Sequence, residues 1–184
     1  MRATDSLDQD HRIIEVVLPA LERLGQQAAG SRLADREAVE MALAFLRTFV
    51  DAYHHGKEEL HLFKAMERRG VHRDVGLVFH LLEEHGRGRK HVRSLLASSA
   101  GAIQGDPEAA KEFADNAAAY VKLLRHHIRE ENAELWPLAS RVLSDDDDSR
   151  LMEGYAEVEH ATLGDAGREL YRGRAADIAR RVEA

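Results

Sequence analysis

The chain lacks several residue types that common protein functions need. It contains no cysteine, three prolines and 5% aromatic residues in 184 positions. Without cysteine there is no disulfide, no thiol nucleophile and no thiolate ligand for structural zinc or an iron–sulfur cluster. The scarcity of proline and aromatic residues, beside many alanines, leucines, glutamates and arginines, favours helices.

The chain also has fewer positive than negative charges. The formal net charge of −7 argues against a general nucleic-acid or anionic-membrane surface, because both need clustered positive charge. No apolar run approaches membrane-spanning length, and the segment from Met1 to Asp10 is polar and acidic. We therefore expect a soluble, cytoplasmic protein, a monomer or small homo-oligomer, that binds neither nucleic acid nor membrane.

Start and stop signals divide the sequence into five predicted helices. They run from about Leu7 to Gln27, from an N-cap at Asp35 to Arg69, from an N-cap at Asp74 to about Ser98, from Asp106-Pro107 to about Val142 and from about 147 to 181. Gly30-Ser31 and Gly70 end the first two helices, and Pro137 predicts a kink in the fourth. The pattern predicts an all-α, up-down-up-down four-helix bundle over residues 1–143, with a C-terminal helical extension over residues 144–184 packing on it.

Histidine, in contrast, is abundant, with eleven in the chain. One phrase occurs twice, as His54-His55-Gly56-Lys57-Glu58-Glu59 before Leu62-Phe63 and as His127-Ile128-Arg129-Glu130-Glu131 before Leu135-Trp136-Pro137. Each copy has a histidine with a glutamate four residues later, and such residues are neighbours on a helix face, about 5–6 Å apart. The repeat predicts two metal ions held between facing helices.

A helical wheel at about 100° per residue shows that these side chains point toward the predicted core. Each bundle helix directs one histidine inward, and two helices add a glutamate: the set is His11, His54, Glu58, His85, His127 and Glu131. Buried carboxylates are costly unless they are paired or bound to a metal. A cation compensates them most simply, and a metal-free bundle with buried His–Glu hydrogen bonds is the alternative.

Four imidazoles and two carboxylates, with no thiolate, suit iron, manganese or zinc. Two bridging carboxylates would leave each ion short of six ligands, so that water, oxo, hydroxo or a small molecule fills the gaps. This favours a redox-active di-iron pair over a closed structural zinc site.

The chain resembles the hemerythrin-like family of HHE cation-binding domains. The carrying residues are Asp10-His11-Arg12-Ile13-Ile14-Glu15, the His54 to Phe63 phrase, Leu82-Glu83-Glu84-His85, and the His127 to Pro137 phrase with Asn132. The resemblance implies two oxo- or hydroxo-bridged non-haem irons, with His11, His54, His85 and His127 as terminal ligands. It also implies that Glu58 and Glu131 bridge the two irons.

The sequence departs from the oxygen-carrying hemerythrins at two positions. Arg89 stands where they have a fifth histidine, and Glu131 stands where they have an aspartate. The resemblance is therefore to the bacterial four-histidine, two-glutamate proteins, which implies a role in oxidative or nitrosative stress or in iron handling.

Several side chains near this set have alternative interpretations. His55, with Glu59, has the same spacing as His54 with Glu58, but we expect His55, His61 and His126 to lie in an outer layer or on the surface. Glu15 and Tyr120 are interpreted as facing the site, as partners or extra ligands, and Arg89 as pairing with Glu15 or a bridging carboxylate. The remaining histidines show no convergence: His72, His80, His91 and His160.

The expected function is to bind or react with a small oxidant, namely hydrogen peroxide, nitric oxide or dioxygen. Catalase-like or nitric-oxide-related turnover is possible on this basis, with an unknown redox partner. The alternatives are an oxygen or iron sensor or store without turnover, a metal-free interaction module, and a ferritin-like site using Glu58-x-x-His61 and Glu157-x-x-His160.

Overall fold

The computed structural model describes residues 1–30 and 35–183, and the secondary structure of this part is entirely helical. Two of its six helices are built from consecutive segments that continue one another. The helices are α1 (Arg2–Ala29), α2 (Arg36–Phe45, Leu46–His55, Glu58–Leu62 and Phe63–Arg68), α3 (Gly76–Ile103), α4 (Pro107–Glu130, Glu131–Leu135 and Trp136–Val142), α5 (Asp145–Leu163) and α6 (Gly167–Glu183). The prediction of an all-α fold is confirmed. Among the described helices, none has both the length and the apolar character to cross a membrane.

The first four helices form the up-down-up-down bundle, in which α4 packs along both α3 and α1, and α6 lies against α1 and α2. Amphipathic stripes on these helices bury their apolar sides in two separate clusters. One cluster contains Phe49 and Leu95, and the other contains Leu62, Leu81 and Leu135. The two clusters leave a layer of buried polar side chains between them, and that layer is where the predicted ligands lie.

The predicted caps are confirmed at two helix starts and wrong at a third. The Asp35 carboxylate accepts hydrogen bonds from the backbone of α2, and Asp106 does the same for Ala109 of α4. Asp74 caps nothing, because α3 begins one residue later than that cap requires, with Val75 at the boundary. Ser31, predicted to help end α1, lies outside the described residues.

α1 begins earlier than its own sequence signals predict, because α5 holds its first turn. The backbone N–H of Ala3 donates to Asp148 Oδ1 at 2.9 Å, and Arg2 Nε lies 3.0 Å from the other oxygen of that carboxylate. Such a contact between residues far apart in sequence supplies an acceptor for an N–H that the helix leaves free.

The predicted C-terminal helical extension is confirmed, but it consists of two helices where one continuous helix was predicted. α5 ends at Leu163, and both Gly164 and Gly167 adopt positive φ, at 67° and 54°. Glycine adopts positive φ without the steric cost that other residues incur, which explains why glycines occupy both positions of this turn. The turn lets α6 fold back and bury Tyr171 and Ile178 in the core shared with α1 and α2. The domain boundary at residue 143 stays a prediction.

The two aspartates that sequence reasoning treats alike are expected to differ in stability measurements. Asp106→Ala removes the acceptor for the Ala109 N–H and is expected to lower the free energy of unfolding by about 1 kcal/mol. Asp74→Ala is the matched control, because its side chain makes no capping bond. Urea unfolding followed by circular dichroism measures both, and equal effects of the two changes would contradict the assignment.

Candidate metal centre

The two helices that carry the repeated phrase contain π-helical turns at the candidate site. One turn begins at Glu58 and another at Glu131, and a longer π-helical segment, Leu46–His55, ends at the adjacent histidines of α2. A π-helix bonds residue i to i+5 and therefore has a wider turn than an α-helix, and such turns are frequent at functional sites. The wider turn brings both His54 and His55 to the buried side of α2.

A first cluster combines side chains of α1, α2 and α4. It consists of His11, His54, Glu58 and Glu131, whose ligand atoms all lie within 4.8 Å of one another. His11 Nε2 is 3.1 Å from His54 Nε2 and 3.0 Å from Glu131 Oε2. His54 Nε2 is 3.6 Å from Glu58 Oε1.

A second cluster adjoins it and shares Glu58. It consists of His55, Glu58, His85 and His127, again with ligand atoms within 4.8 Å of one another. His85 Nε2 lies 3.1 Å from His127 Nε2 and 3.5 Å from Glu58 Oε2. His127 Nε2 lies 3.2 Å from Glu131 Oε1. Glu58 and Glu131 thus each present one oxygen to each cluster, as a carboxylate that bridges two cations does.

The Nδ1 atoms of the four predicted histidine ligands all meet acceptors. Three of these acceptors are carboxylate oxygens, in the pairs His54 Nδ1–Asp10 at 3.4 Å, His85 Nδ1–Glu59 at 2.8 Å and His127 Nδ1–Glu84 at 2.9 Å. His11 Nδ1 lies 3.3 Å from Asn132 Oδ1, and this oxygen is identified as an acceptor because it also receives the Trp136 Nε1–H at 2.7 Å. Such partners place the proton on Nδ1 and leave the Nε2 lone pair free for a metal.

The layer therefore contains buried hydrogen-bond acceptors that have no donor to pair with in the part of the chain that the structure describes. Within the described residues, no hydrogen bond of acceptable geometry reaches any of the four carboxylate oxygens of Glu58 and Glu131, both of which are fully buried. A buried charge without a partner is costly, and a cation between the Nε2 atoms and the carboxylates removes that cost. The residues present fit a pair of metal ions.

The pKa directions show how the layer balances its charge when no cation is bound. Burial and the neighbouring Glu131 raise the pKa of Glu58 well above its usual range. Burial alone would raise the pKa of Glu131 too, but His127 and His11 outweigh it and hold it well below that range. Burial opposes protonation of His127, yet Glu131 and Glu84 raise its pKa to about 9. These directions favour protons on Glu58 and His127 when no cation is bound, and metal binding displaces them.

The expectation for His55 is corrected by the structure. Its side chain is 4% exposed and stacks on His85, with ring centroids 3.8 Å apart and planes at 18°. Neither ring nitrogen has a hydrogen-bond partner among the described residues. The layer therefore contains a fifth imidazole, supplied by α2 and not by position 89 of α3. His55 faces inward because a π-helical segment ends at this residue. A helical wheel at a constant angle per residue takes no account of such a segment.

Other expected neighbours of the site lie elsewhere. Glu15 is exposed, because α1 buries Ile13 and Ile14 on the other side. Arg89 pairs with Asp51 and Glu59 at 2.7 and 2.6 Å, so its predicted pairing with Glu15 or a bridging carboxylate is wrong.

The exposure of side chains also tests the ferritin-like alternative and the expectations for His61 and Tyr120. Glu157 and His160 are exposed on α5, so the ferritin-like ligand set does not assemble. His61 is partly exposed beside Gly154 and outside both clusters, whereas Tyr120 is buried.

A buried ionic network supports the first cluster from outside, and sequence reasoning assigned it no role. Lys57 donates to Asp10 and, at 3.1 Å, to the Tyr53 hydroxyl, and Arg168 Nε of α6 lies 3.2 Å from Asp10 Oδ1. Burial would raise the pKa of Asp10, but His54, Lys57 and Arg168 lower it, so the carboxylate stays ionised. The sequence contains one signal for this network. Asp10 and Lys57 are charged residues that directly precede the inward-facing His11 and Glu58.

The hemerythrin HHE cation-binding domain model matches residues 2–139, which include all six predicted ligands and His55. The chain belongs to the hemerythrin HHE cation-binding family. Helices α5 and α6 of this HHE protein lie beyond the matched residues, although α6 supplies Arg168 to the site. The family match supports metal binding by the buried layer.

Related proteins occur in mycobacteria. Proteins described as uncharacterized from Mycobacterium bovis and from two strains of Mycobacterium tuberculosis are 25% identical to this HHE protein over 176 residues. The alignment covers 96% of this chain and 68% of each relative. No solved structure matches the chain.

Breaking the buried ion pair is expected to destabilise the metal-free protein strongly. Lys57→Met leaves Asp10 with less compensation in a fully buried position, which typically costs about 3–5 kcal/mol of unfolding free energy. Lys111→Met is the control, since it breaks an exposed pair with Asp115 and is expected to leave stability unchanged. Urea unfolding of the chelator-treated proteins tests this, and a fully stable Lys57→Met protein would contradict it.

Proposed function

We propose that this HHE protein holds two iron ions in the buried layer and binds or reacts with a small oxidant there. Hydrogen peroxide, nitric oxide and dioxygen are the candidates, in oxidative or nitrosative stress or in iron handling. One observation carries the proposal: Glu58 and Glu131 each direct one oxygen to each of two imidazole clusters. A cytoplasmic location stays a prediction from composition.

The proposed ligands divide unequally between the two irons. His11 and His54 would hold one iron, and His55, His85 and His127 the other, with Glu58 and Glu131 shared. Bound iron supplies one-electron redox chemistry, and the mixture of imidazole and carboxylate ligands without thiolate suits it. His55 would thus give the second iron one more imidazole ligand than the first.

The chain contributes orientation and charge to this chemistry. Asp10, Glu59 and Glu84 hold the Nδ1 atoms of three proposed ligands and thereby fix their rings. Apolar clusters above and below the layer exclude water from most of its surface. The layer is thus largely enclosed within the described residues.

A small pocket of about 160 Å³ reaches His55. Gly88 and Tyr120 line it together with the arginines at positions 47, 89 and 93 and with one carboxylate, Asp51, which pairs with Arg89. A cavity of about 150 Å³ holds a molecule the size of benzene, so the pocket admits a ligand of up to about six non-hydrogen atoms. Its size supports a diatomic or peroxide ligand over a larger substrate, and its positive charge favours neutral or anionic molecules.

A sensor or store would use the same residues without turnover. Reactivity with the oxidant therefore distinguishes this alternative from an enzyme. Sustained gas evolution from added peroxide by the iron-loaded protein would support an enzyme. Stoichiometric binding or oxidation with no turnover would support the sensor or store.

Removal of a bridging carboxylate is expected to empty the site. The wild type, purified from iron-supplemented cells, is expected to contain about two irons per chain and to show a near-ultraviolet charge-transfer band. Glu58→Ala is expected to lose most of this iron, whereas Glu15→Ala, which removes an exposed glutamate, retains it. Metal analysis and absorption spectra decide the outcome. A folded wild type that takes up no iron would sink the proposal, as would full iron content in Glu58→Ala.

Filling the pocket is expected to slow the reaction without removing iron. A Cβ atom at Gly88 makes an ordinary 3.6 Å contact with the Tyr120 ring, so Gly88→Leu can extend a side chain into the pocket. We expect the rate at which peroxide or nitric oxide changes the iron absorption to fall by about tenfold or more.

The matched control is Gly86→Leu on the same helix, because a Cβ atom there meets nothing within 4 Å. Stopped-flow absorption compares the proteins at equal iron content. Equal rates in wild type and Gly88→Leu would show that small molecules reach the irons by another route.

A further inference from the structure

A third group of metal-ligating side chains lies at the surface, outside the buried layer. It comprises His80 and Glu84 of α3 with His126 and Glu130 of α4, and their ligand atoms lie within 4.8 Å of one another. Sequence analysis predicted no convergence for His80. Each helix contributes a histidine and a glutamate four residues apart, and the packing of α3 along α4 brings the two pairs together.

The spacing of these atoms is that of ligands around one ion. His80 Nε2 lies 3.2 Å from Glu130 Oε2 and 3.6 Å from Glu84 Oε1, and His126 Nε2 lies 3.5 Å from Glu130 Oε2. Ligands about 2.0–2.2 Å from a tetrahedral ion are themselves separated by about 3.3–3.6 Å. Since all the ligand atoms lie within 4.8 Å of one another, small side-chain movements would let the group surround a cation.

One oxygen of this group needs a partner. Glu130 Oε2 is buried and accepts no hydrogen bond of acceptable geometry within the described residues, although two imidazole nitrogens flank it. An acceptor in that position is unfavourable unless a proton or a cation fills the space. The mixed imidazole and carboxylate ligands suit a divalent transition metal.

Exposure separates this group from the buried layer. The His80 and His126 side chains are 48% and 52% exposed, so a cation reaches them directly from solvent and leaves by the same path. Glu84 is buried and faces both sites, since Oε1 lies near His80 and Oε2 lies 2.9 Å from His127 Nδ1. A single carboxylate therefore joins the surface group to a proposed iron ligand.

We propose that His80, Glu84, His126 and Glu130 form an exchangeable binding site for a divalent transition-metal ion. The site shares Glu84 with the buried layer, so that its occupancy alters the surroundings of His127. Cation binding at the surface stands on the geometry of these four residues alone. The effect on the buried centre rests on the proposed function.

Cobalt(II) is the probe, because its visible absorption reports tetrahedral nitrogen and oxygen coordination. Iron-loaded wild type is expected to bind about one further cobalt per chain in a visible-absorption titration, confirmed by metal analysis after gel filtration. The double variant His80→Ala/His126→Ala is expected to lose this cobalt while keeping its iron. The control His91→Ala/His160→Ala, which removes two histidines outside the group, is expected to bind cobalt like the wild type.

A second readout tests the shared carboxylate. Cobalt is expected to shift the near-ultraviolet iron band of the wild type and to leave that of His80→Ala/His126→Ala unchanged. Cobalt uptake with no shift in the wild type would overturn the coupling. Absence of additional cobalt in the wild type, or equal uptake by the double variant, would overturn the site itself.

Failure of the surface-site proposal can be distinguished from failure of the proposed function. If the wild type holds no iron, the di-iron proposal fails. The difference in cobalt uptake between the wild type and His80→Ala/His126→Ala then still decides whether the surface site exists.

Discussion

The burial of two carboxylates is the constraint on which the rest of the structure depends. Glu58 and Glu131 are fully enclosed between two apolar clusters, and their oxygens have no ordinary hydrogen-bond partner within the described residues. A bundle can retain such groups only if cations or protons compensate them. The inward histidines, their close spacing and the π-helical turns that begin at both glutamates all follow from that requirement.

The need for charge compensation extends outward from Glu58 and Glu131 to the side chains that surround the buried layer. Carboxylates orient the imidazoles by accepting from Nδ1, and one of them, Asp10, is itself balanced by Lys57 and Arg168. Because Arg168 belongs to α6, it links the C-terminal helices electrostatically to a buried layer formed by residues within the HHE family match. Glu84 extends the second cluster toward the surface in the same way.

Much of the fold and most of the candidate site could be predicted from local pattern. The four bundle helices, the caps at Asp35 and Asp106 and the inward direction of six ligands follow from periodicity within a few turns. His55 was misplaced because a wheel at a constant angle takes no account of π-helical turns. Glu15 was misplaced because a residue at the edge of an apolar stripe turns inward or outward according to the neighbouring helix.

The sequence by itself determined the four bundle helices, their apolar faces and the pairing of a histidine with a glutamate one turn later. These features depend on interactions between residues at most a few positions apart, which a linear pattern records. Tertiary structure alone decided that His80 meets His126, that Arg168 reaches Asp10 and that Gly164 and Gly167 return α6 to the core. Such contacts depend on how helices rotate and slide against one another, and that is settled by the packing of whole faces.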